Sequence, residues 1–279
     1  MTGPPQPPVG AVVALKPVAR AKSRLATLPD PLRRRLAWTM AVDTLSALAA
    51  AGLTLLVVSD QAALASRLGR AGVHAQVVGE AGADGMNAAL EHGARLLVGQ
   101  GCTTVLACVG DLPALRPASV TAVLAAFPAQ GRVHLPDATG MGTTMLLARG
   151  EDLGPHFQGP SAAAHTTSGA PALTDADLGG AVPDARQDVD TEADLGRVAP
   201  LGLGRATAQL LDRRGRLGTY SVVTTTAHVD DRDQPLAMAA AGHRLALPAT
   251  ALADGLRPLR PGQRLHAVHA AGTVLSAWL

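Results

Sequence analysis

Aromatic side chains are nearly absent: only five of the 279 residues are Phe, Trp or Tyr. Single-stranded nucleic acid is usually held by stacking bases on aromatic faces, so a protein of that class is not expected. The net charge of +2 provides no field that would draw a polyanion. No apolar run approaches the roughly 20 residues needed to cross a bilayer. The start, Met1 to Pro8, is proline-rich and lacks the basic and apolar regions of a secretory leader. Neither nucleic acid nor membrane is therefore expected as a partner, and the expected compartment is the cytoplasm. There are two cysteines, Cys102 and Cys108, at or in one short apolar run. A bridge between them would fold that run back on itself, so both are read as reduced, buried thiols.

Several motifs are missing as well. There is no GxxxxGK[ST] of a P-loop and no GxGxxG of a dinucleotide site. Nothing resembles the Gly-x-Ser-x-Gly elbow of a serine hydrolase. The histidines, His165 and the C-terminal ones included, show no metal-ligand spacing and are read as structural. The most telling shortage is lysine. Of 24 basic side chains only Lys16 and Lys22 are lysines, six residues apart in a chain that otherwise uses Arg. A compact ammonium suits a phosphate where the planar guanidinium fork does not fit.

What is present is a large apolar fraction, 47%, enough for a sizeable core. The length allows one large domain, or an ordinary one with a small appendage. Ala11 to Leu15 is a continuous apolar run, as in a strand buried on both faces. Asp30-Pro31 opens a helix that ends at Gly52. Strands are predicted at Leu53 to Val58, His74 to Val78, Thr104 to Val109, Arg132 to Leu135 and Thr143 to Ala148. Helices are predicted at Gln61 to Ala71 and after an Asp84 cap. Gly150 to Asp184 reads as loop-rich, Arg186 to Val189 as a last strand, and Asp190-Thr191 as a helix start. Such alternation predicts a three-layer α/β fold with a mostly parallel mixed sheet. From Leu217 the pattern becomes β-rich, predicting a small C-terminal β domain of OB- or cold-shock-like size. The expected division is a tail at 1–8, an α/β domain at 9–214 and the β-rich domain at 217–279.

In α/β sheets ligands bind beyond the carboxyl ends of the strands, and the charged residues of this chain cluster there. The loop after the first strand carries Lys16, Arg20, Lys22 and Arg24, suited to a triphosphate and to the extra charge of a phosphoryl transition state. Asp111, in Gly-Asp-Leu-Pro after the fourth strand, suits Mg2+, which takes few protein oxygens and fills its shell with water and phosphate. An Asx-turn, or a cap for the helix near Pro117, is the alternative. Asp188 and Asp190 would share one side of a strand, although Asp190 stands equally as a helix cap. Asn87, in the first turn of its helix, suits a base or ribose, or the helix end itself. The turn Thr139 to Thr144 offers N–H groups and hydroxyls to an anion, and Ser161 lies near a helix start. For both, a plain turn or cap is the alternative.

Taken in order, VVALKPVARAKSRL, VGDLPAL, GMGTTMLL, FQGPSAAAH and DVDTEADL resemble the 2-phospho-L-lactate / phosphoenolpyruvate guanylyltransferases of coenzyme F(420) biosynthesis. The resemblance covers roughly Val9 to Leu211. It implies a GT-A-like nucleotidyltransferase fold in which a lysine-bearing loop replaces the glycine-rich loop of related enzymes. It implies GTP and phosphoenolpyruvate or 2-phospho-L-lactate as substrates, and Mg2+ as cofactor. Asp111, Asp188 and Asp190 match the metal-binding aspartates; Thr143, Gly159 and Ser161 match the positions that hold the phosphorylated acid. The nucleotide-binding set is expected to be Leu15, Lys16, Lys22, Arg24, Asn87 and Asp111, with Lys16, Lys22 and Asp111 carrying catalysis. A labile product would pass to a downstream transferase. One departure concerns the common Phe-Gly-Pro-x-Ser, which here reads Phe157-Gln158-Gly159-Pro160-Ser161, so that Gln158 or Gly159 fills the glycine's role. The alternatives are a nucleotidyltransferase for 3-phosphoglycerate, a sugar phosphate or molybdopterin, and a catalytically silent nucleotide-binding scaffold.

Overall fold

In the computed structural model of the chain, the described residues are 8–15, 25, 27–212, 216–231, 233–240, 242–252, 256 and 259–279. Short apolar runs become the strands of one six-stranded sheet. β1 (Val9–Ala14), β2 (Thr54–Val58), β3 (Gln76–Val78) and β4 (Thr104–Cys108) are parallel. β6 (Thr143–Arg149) lies antiparallel between β4 and β5 (Gly131–Pro136), giving the order β3-β2-β1-β4-β6-β5.

Helices cover both faces. α1 (Asp30–Ala50), α2 (Leu64–Arg70) and α4 (Pro117–Ala125) pack on one side, α3 (Gly85–Gly99) on the other. Side chains alternate across a strand, so β1 serves both cores. Its Ala11 and Val13 join Trp38, Val42 and Leu45 of α1, while Val12 joins Leu90, Ala94 and Leu97 of α3. The layer order is that of the three-layer, mostly parallel sheet read from the sequence.

α1 has no polar stripe because two of its faces are buried. Leu32, Leu36 and Met40 leave the sheet and join a third core with Leu195 and Val198 of α7 (Glu192–Val198). That core is completed by Val268 and Trp278 from a closed C-terminal barrel. The barrel strands are β7 (Thr219–Val229), β8 (Pro235–Ala239), β9 (Arg244–Ala246), β10 (Arg264–Ala270) and β11 (Thr273–Trp278). Its interior is filled by small and branched residues such as Val223, Ala237, Leu245, Leu265 and Val274. The guanidinium of Arg35, on α1, lies 5.7 Å from the Trp278 ring centre. Asp43, also on α1, accepts the N–H groups of Ala206 and Thr207 at 2.9 and 2.7 Å, holding the short α8 (Arg205–Ala208) against it.

Two local expectations are corrected. Arg186 to Val189 is not a strand: α6 (Pro183–Arg186) occupies its start, because Pro183 opens a helical turn, and Gln187 to Val189 has no ladder partner. The helix expected from Gln61 begins at Leu64, after Ala63 in a left-handed conformation. The helix start read near Ser161 is present as α5 (Ser161–Thr167), within the otherwise loop-rich stretch before Asp184. Both cysteines are buried and unbridged. Among the described residues no helix is long and apolar enough to cross a membrane.

Gly93 sets how closely α3 approaches the sheet. A Cβ there would meet Val12, Val58 and Leu56 side chains at 2.5, 2.8 and 3.0 Å. Gly93→Ala should therefore lower stability by about 1–3 kcal/mol through overpacking. Gly99→Ala, where a Cβ meets nothing within 4 Å, should leave it unchanged or raised. Urea midpoints of the two variants provide the check.

Candidate active site at the carboxyl edge of the sheet

Strand order reverses between β1 and β4, with β2 and β3 to one side and β6 and β5 to the other. In open α/β sheets ligands bind outside the carboxyl ends of the strands at such a switch point. At the β1 exit, the Leu15 N–H donates to the Val58 carbonyl at 3.0 Å, and the Leu15 carbonyl accepts the Ser59 hydroxyl at 2.6 Å. Lys16, Arg20, Lys22 and Arg24 follow in sequence and lie outside the described residues. Leu25, described again, is fully buried with Leu32 and Leu36.

At the β4 exit, the Leu112 N–H donates to Thr44 Oγ1 at 3.0 Å, and Asp111 Oδ1 is buried. Asp111 does not cap the following helix. That role belongs to Asp184, which accepts the Arg116 N–H and the Ser119 hydroxyl, both at 2.9 Å. The Val189 N–H donates to the Asp111 carbonyl at 3.2 Å, so Asp188 and Asp190 flank a residue tied directly to the β4 exit. Nor does Asp190 cap α7. Thr191 does so, in a capping box with Asp194. Burial, and then the Asp111 carboxylate, push the Cys108 thiol upward.

Among the described residues no three His, Cys, Asp or Glu groups form a ready metal cage. A Mg2+ ion does not require one, because it is held by one or two carboxylates and completed by substrate phosphate and water. The hard oxygen donors of Asp111, Asp188 and Asp190, at the edge where a ligand enters, fit that chemistry.

A second group meets the same edge. The Val109 N–H donates to the Thr144 carbonyl at 3.0 Å, which sets the start of β6 beside the end of β4. Thr143 is buried, and its Oγ1 lies 2.9 Å from His165 Nδ1. The Ala162 N–H donates to the Met141 carbonyl at 3.1 Å, bringing buried Ser161 and the start of α5 to the same place. Upstream, the His156 N–H donates to His165 Nε2 at 2.8 Å, and the Phe157 N–H to Asn87 Oδ1 at 2.8 Å. Asn87, on α3, thus holds the segment that leads into Gly159. Gly159 takes the left-handed conformation, φ +61°, which favours glycine, so the backbone freedom of the displaced glycine resides there.

The turn before β6 is not an open anion nest. Asp137 Oδ1 already accepts the Thr139 and Met141 N–H groups at 3.0 and 3.1 Å and the Thr139 hydroxyl at 2.8 Å. A surface hollow lined by Val9, Leu53, Cys102, Thr104 and Arg149 opens at the opposite edge and contains none of the candidate residues.

The residue that sequence reading passed over is His165, taken only as structural. Its ring is fully buried among His134, His156 and Phe157, with ring centres 5.5, 5.7 and 5.2 Å away. Burial, reinforced by His134, His156 and Arg132, holds it down to about 4. His134 is lowered too, by burial and Arg186, against the Ala170 carbonyl that its Nδ1 contacts at 2.8 Å. The signal that could have found His165 is its spacing: it stands four residues after Ser161, on the same helical face.

No family model matches the chain. It is 45% identical over 205 residues to the phosphoenolpyruvate guanylyltransferase of Salinispora arenicola, covering 71% of this chain and 91% of that one. It is 44% identical over 207 residues to the phosphoenolpyruvate guanylyltransferase of Streptomyces coelicolor, covering 72% and 95%. Among solved structures, a protein from Desulfovibrio desulfuricans described as a nucleotide-diphospho-sugar transferase superposes with a TM-score of 0.51 at 16% identity. That match covers 72% of this chain and 92% of the other, and is a likeness of fold.

The neutral ring of His165 makes stability depend on pH. Its folded value, about 4, lies below the ordinary 6.5, so the unfolded chain takes up a proton first as pH falls. Stability should be full above pH 6.5, decline between 6.5 and 4 by up to about 1.4 kcal/mol per unit, and level off below. His134 shifts the same way. Urea midpoints for wild type and His165→Asn across pH 4 to 8 test this. The wild-type curve should fall more steeply, whereas parallel curves would count against it.

Proposed function

The chain belongs to the phosphoenolpyruvate guanylyltransferase family, and from that premise we propose that it transfers GMP from GTP to phosphoenolpyruvate, with release of pyrophosphate, in coenzyme F(420) biosynthesis. It is a nucleotidyltransferase; the acid, the site residues and the metal are the content of the proposal. The observation that carries it is the Val189 N–H bond to the Asp111 carbonyl, 3.2 Å. This bond ties the segment bearing Asp188 and Asp190 to the β4 exit that carries Asp111.

In this reading a phosphate oxygen of the acid attacks the α-phosphorus of GTP. A phosphoanhydride bond forms to the acid while the bond to pyrophosphate breaks. The protein's task is to align two anions and to oppose the charge that gathers between them. Lys16, Lys22 and Arg24 take the triphosphate, Leu15 lends main-chain contact, and Asn87 lies at the nucleotide end of α3. Thr143, Gly159 and Ser161 hold the acid so that its phosphate faces the switch point. Asp111, Asp188 and Asp190 would hold Mg2+, which when bound supplies charge neutralisation on the phosphate oxygens. No side chain has to form a covalent bond.

The test is pyrophosphate release from GTP and Mg2+, with phosphoenolpyruvate and 2-phospho-L-lactate offered separately. Release that depends on phosphoenolpyruvate is expected; release that depends only on 2-phospho-L-lactate would move the acid assignment, and release with neither would sink the reading. Asp111→Asn should cut kcat by roughly a hundredfold or more with the thermal midpoint retained. Near-wild-type turnover would remove Asp111 from the metal site. Lys22→Ala should raise KM for GTP far more than Lys16→Arg does, and equal effects would undo the argument from lysine spacing.

A further inference from the structure

We propose that His165 is a positioning residue for the phosphorylated acid: held neutral with its proton on Nδ1, it fixes Thr143 so that the threonine hydroxyl proton is presented to the acid. The inference deepens the reading above and rests on Thr143, Gly159 and Ser161 being the acid site.

The argument starts from a donor that cannot change its role. The His156 backbone N–H points at His165 Nε2 from 2.8 Å. A backbone N–H only donates, so Nε2 must be a bare lone pair. A neutral imidazole with Nε2 bare carries its proton on Nδ1. An imidazolium would set two N–H groups against each other at this distance, so the backbone excludes it on geometry alone. Nδ1 lies 2.9 Å from Thr143 Oγ1. With the proton on Nδ1, the ring donates and the threonine oxygen accepts.

That leaves the hydroxyl's own proton. Among the described residues the Thr143 hydroxyl has no partner besides His165, and Thr143 is only 6% exposed. A buried hydroxyl proton without an acceptor costs about 1–3 kcal/mol, so the site is built for an acceptor that arrives from outside the protein. An anionic oxygen of the acid meets that need.

The same ring organises the rest of the acid site. The Ser161 carbonyl, one helical turn back, also meets the ring. Through the His156 N–H the ring also anchors the segment whose next N–H, that of Phe157, is held by Asn87. Thr143, Ser161 and the approach to Gly159 are thus referred to one imidazole. The charged and titratable groups facing it are His134, His156 and Arg132. All are potentially cationic, so none supplies a negative charge that would draw a second proton onto the ring.

The tests use the full-length enzyme with GTP, Mg2+ and phosphoenolpyruvate. In wild type, 15N spectra of labelled histidine should show one ring protonated at Nδ1 and bare at Nε2 from pH 8 to 5.5, assigned by its loss in His165→Asn. A ring protonated at Nε2, or one titrating near 6.5, would overturn the proposal without any variant having to be active. In kinetics, His165→Leu should raise KM for phosphoenolpyruvate about tenfold, a loss of about 1.4 kcal/mol, with KM for GTP unchanged. His165→Asn, whose amide nitrogen can take the place of Nδ1, should bring KM for the acid back to within about threefold. In a Thr143→Val background the Leu substitution should add little. Full additivity, or equal rises in both KM values, would make His165 a packing residue and refute its action through Thr143. Absence of acid-dependent release in wild type is a different failure: it overturns the acid-site reading itself, and the positioning role with it.

Discussion

The organising constraint of this protein is the reversal of strand order at the β1–β4 pair. A parallel pair cannot be joined by a tight turn, so each strand exits at the same edge and its chain must depart over one face or the other. Here β2 and β3 extend to one side of the pair and β6 and β5 to the other, so the carboxyl edge of the pair is the switch point of the sheet. Main-chain bonds tie the neighbouring exits together. Leu15 is tied to Val58, Val109 to Thr144, and Val189 to Asp111. Because these are backbone bonds, they hold the exits together independently of the side chains, several of which (Val58, Thr144, Val189) are buried in the core.

The second structural decision is the double burial of α1. A helix that packs on a sheet ordinarily keeps a polar face toward water. This one gives Trp38, Val42 and Leu45 to the sheet, and Leu32, Leu36 and Met40 to a core shared with α7 and the barrel. The buried Val189 lies in that same core with Val268 and Trp278. The segment bearing Asp188 and Asp190 is therefore backed by apolar contacts from the C-terminal barrel as well as by its bond to Asp111. The curated relatives match only about 71–72% of the chain, so the nucleotidyltransferase core and the whole protein are different lengths of chain.

Fold class was legible because each strand of the sheet is an apolar run bounded by a glycine, proline or charged turn, and period-two burial follows from being covered on both sides. Asp111 stands out in the sequence for the same reason, as the first charge after such a run. Asp188 and Asp190 were singled out by a strand spacing that the structure does not have. They do not lie in a strand; they flank one buried valine whose N–H is tied to Asp111. The turn from Thr139 looked like an anion site because its donors are real, but Asp137, just before it, had already claimed them. Local sequence shows what a turn can donate, not which nearby side chain accepts. His165 was missed because it was judged by ligand spacing, when its importance lies in hydrogen bonds to a backbone group nine residues earlier and to a hydroxyl on β6.

The distribution of charge between the two halves of the proposed site follows from how each half is built. In the proposed reading the nucleotide half relies on the cations that the sequence places after β1, Lys16, Lys22 and Arg24. In the half proposed for the acid, Thr143 and Ser161 are buried, and an unpaired cation there would carry a large desolvation cost. The fold answers with neutral groups: a threonine hydroxyl, a serine at a helix start, and a glycine whose backbone can turn toward a ligand. Neutral donors are directional and discriminate geometry more than charge. They must, however, be aimed, and a hydroxyl rotor does not aim itself. The fixed His156 N–H selects the tautomer of His165, and the tautomer selects which way Thr143 donates. A backbone group that cannot titrate thus governs a side chain that ordinarily would, and recognition on this side of the site need not vary as pH moves through the range where histidines usually change charge.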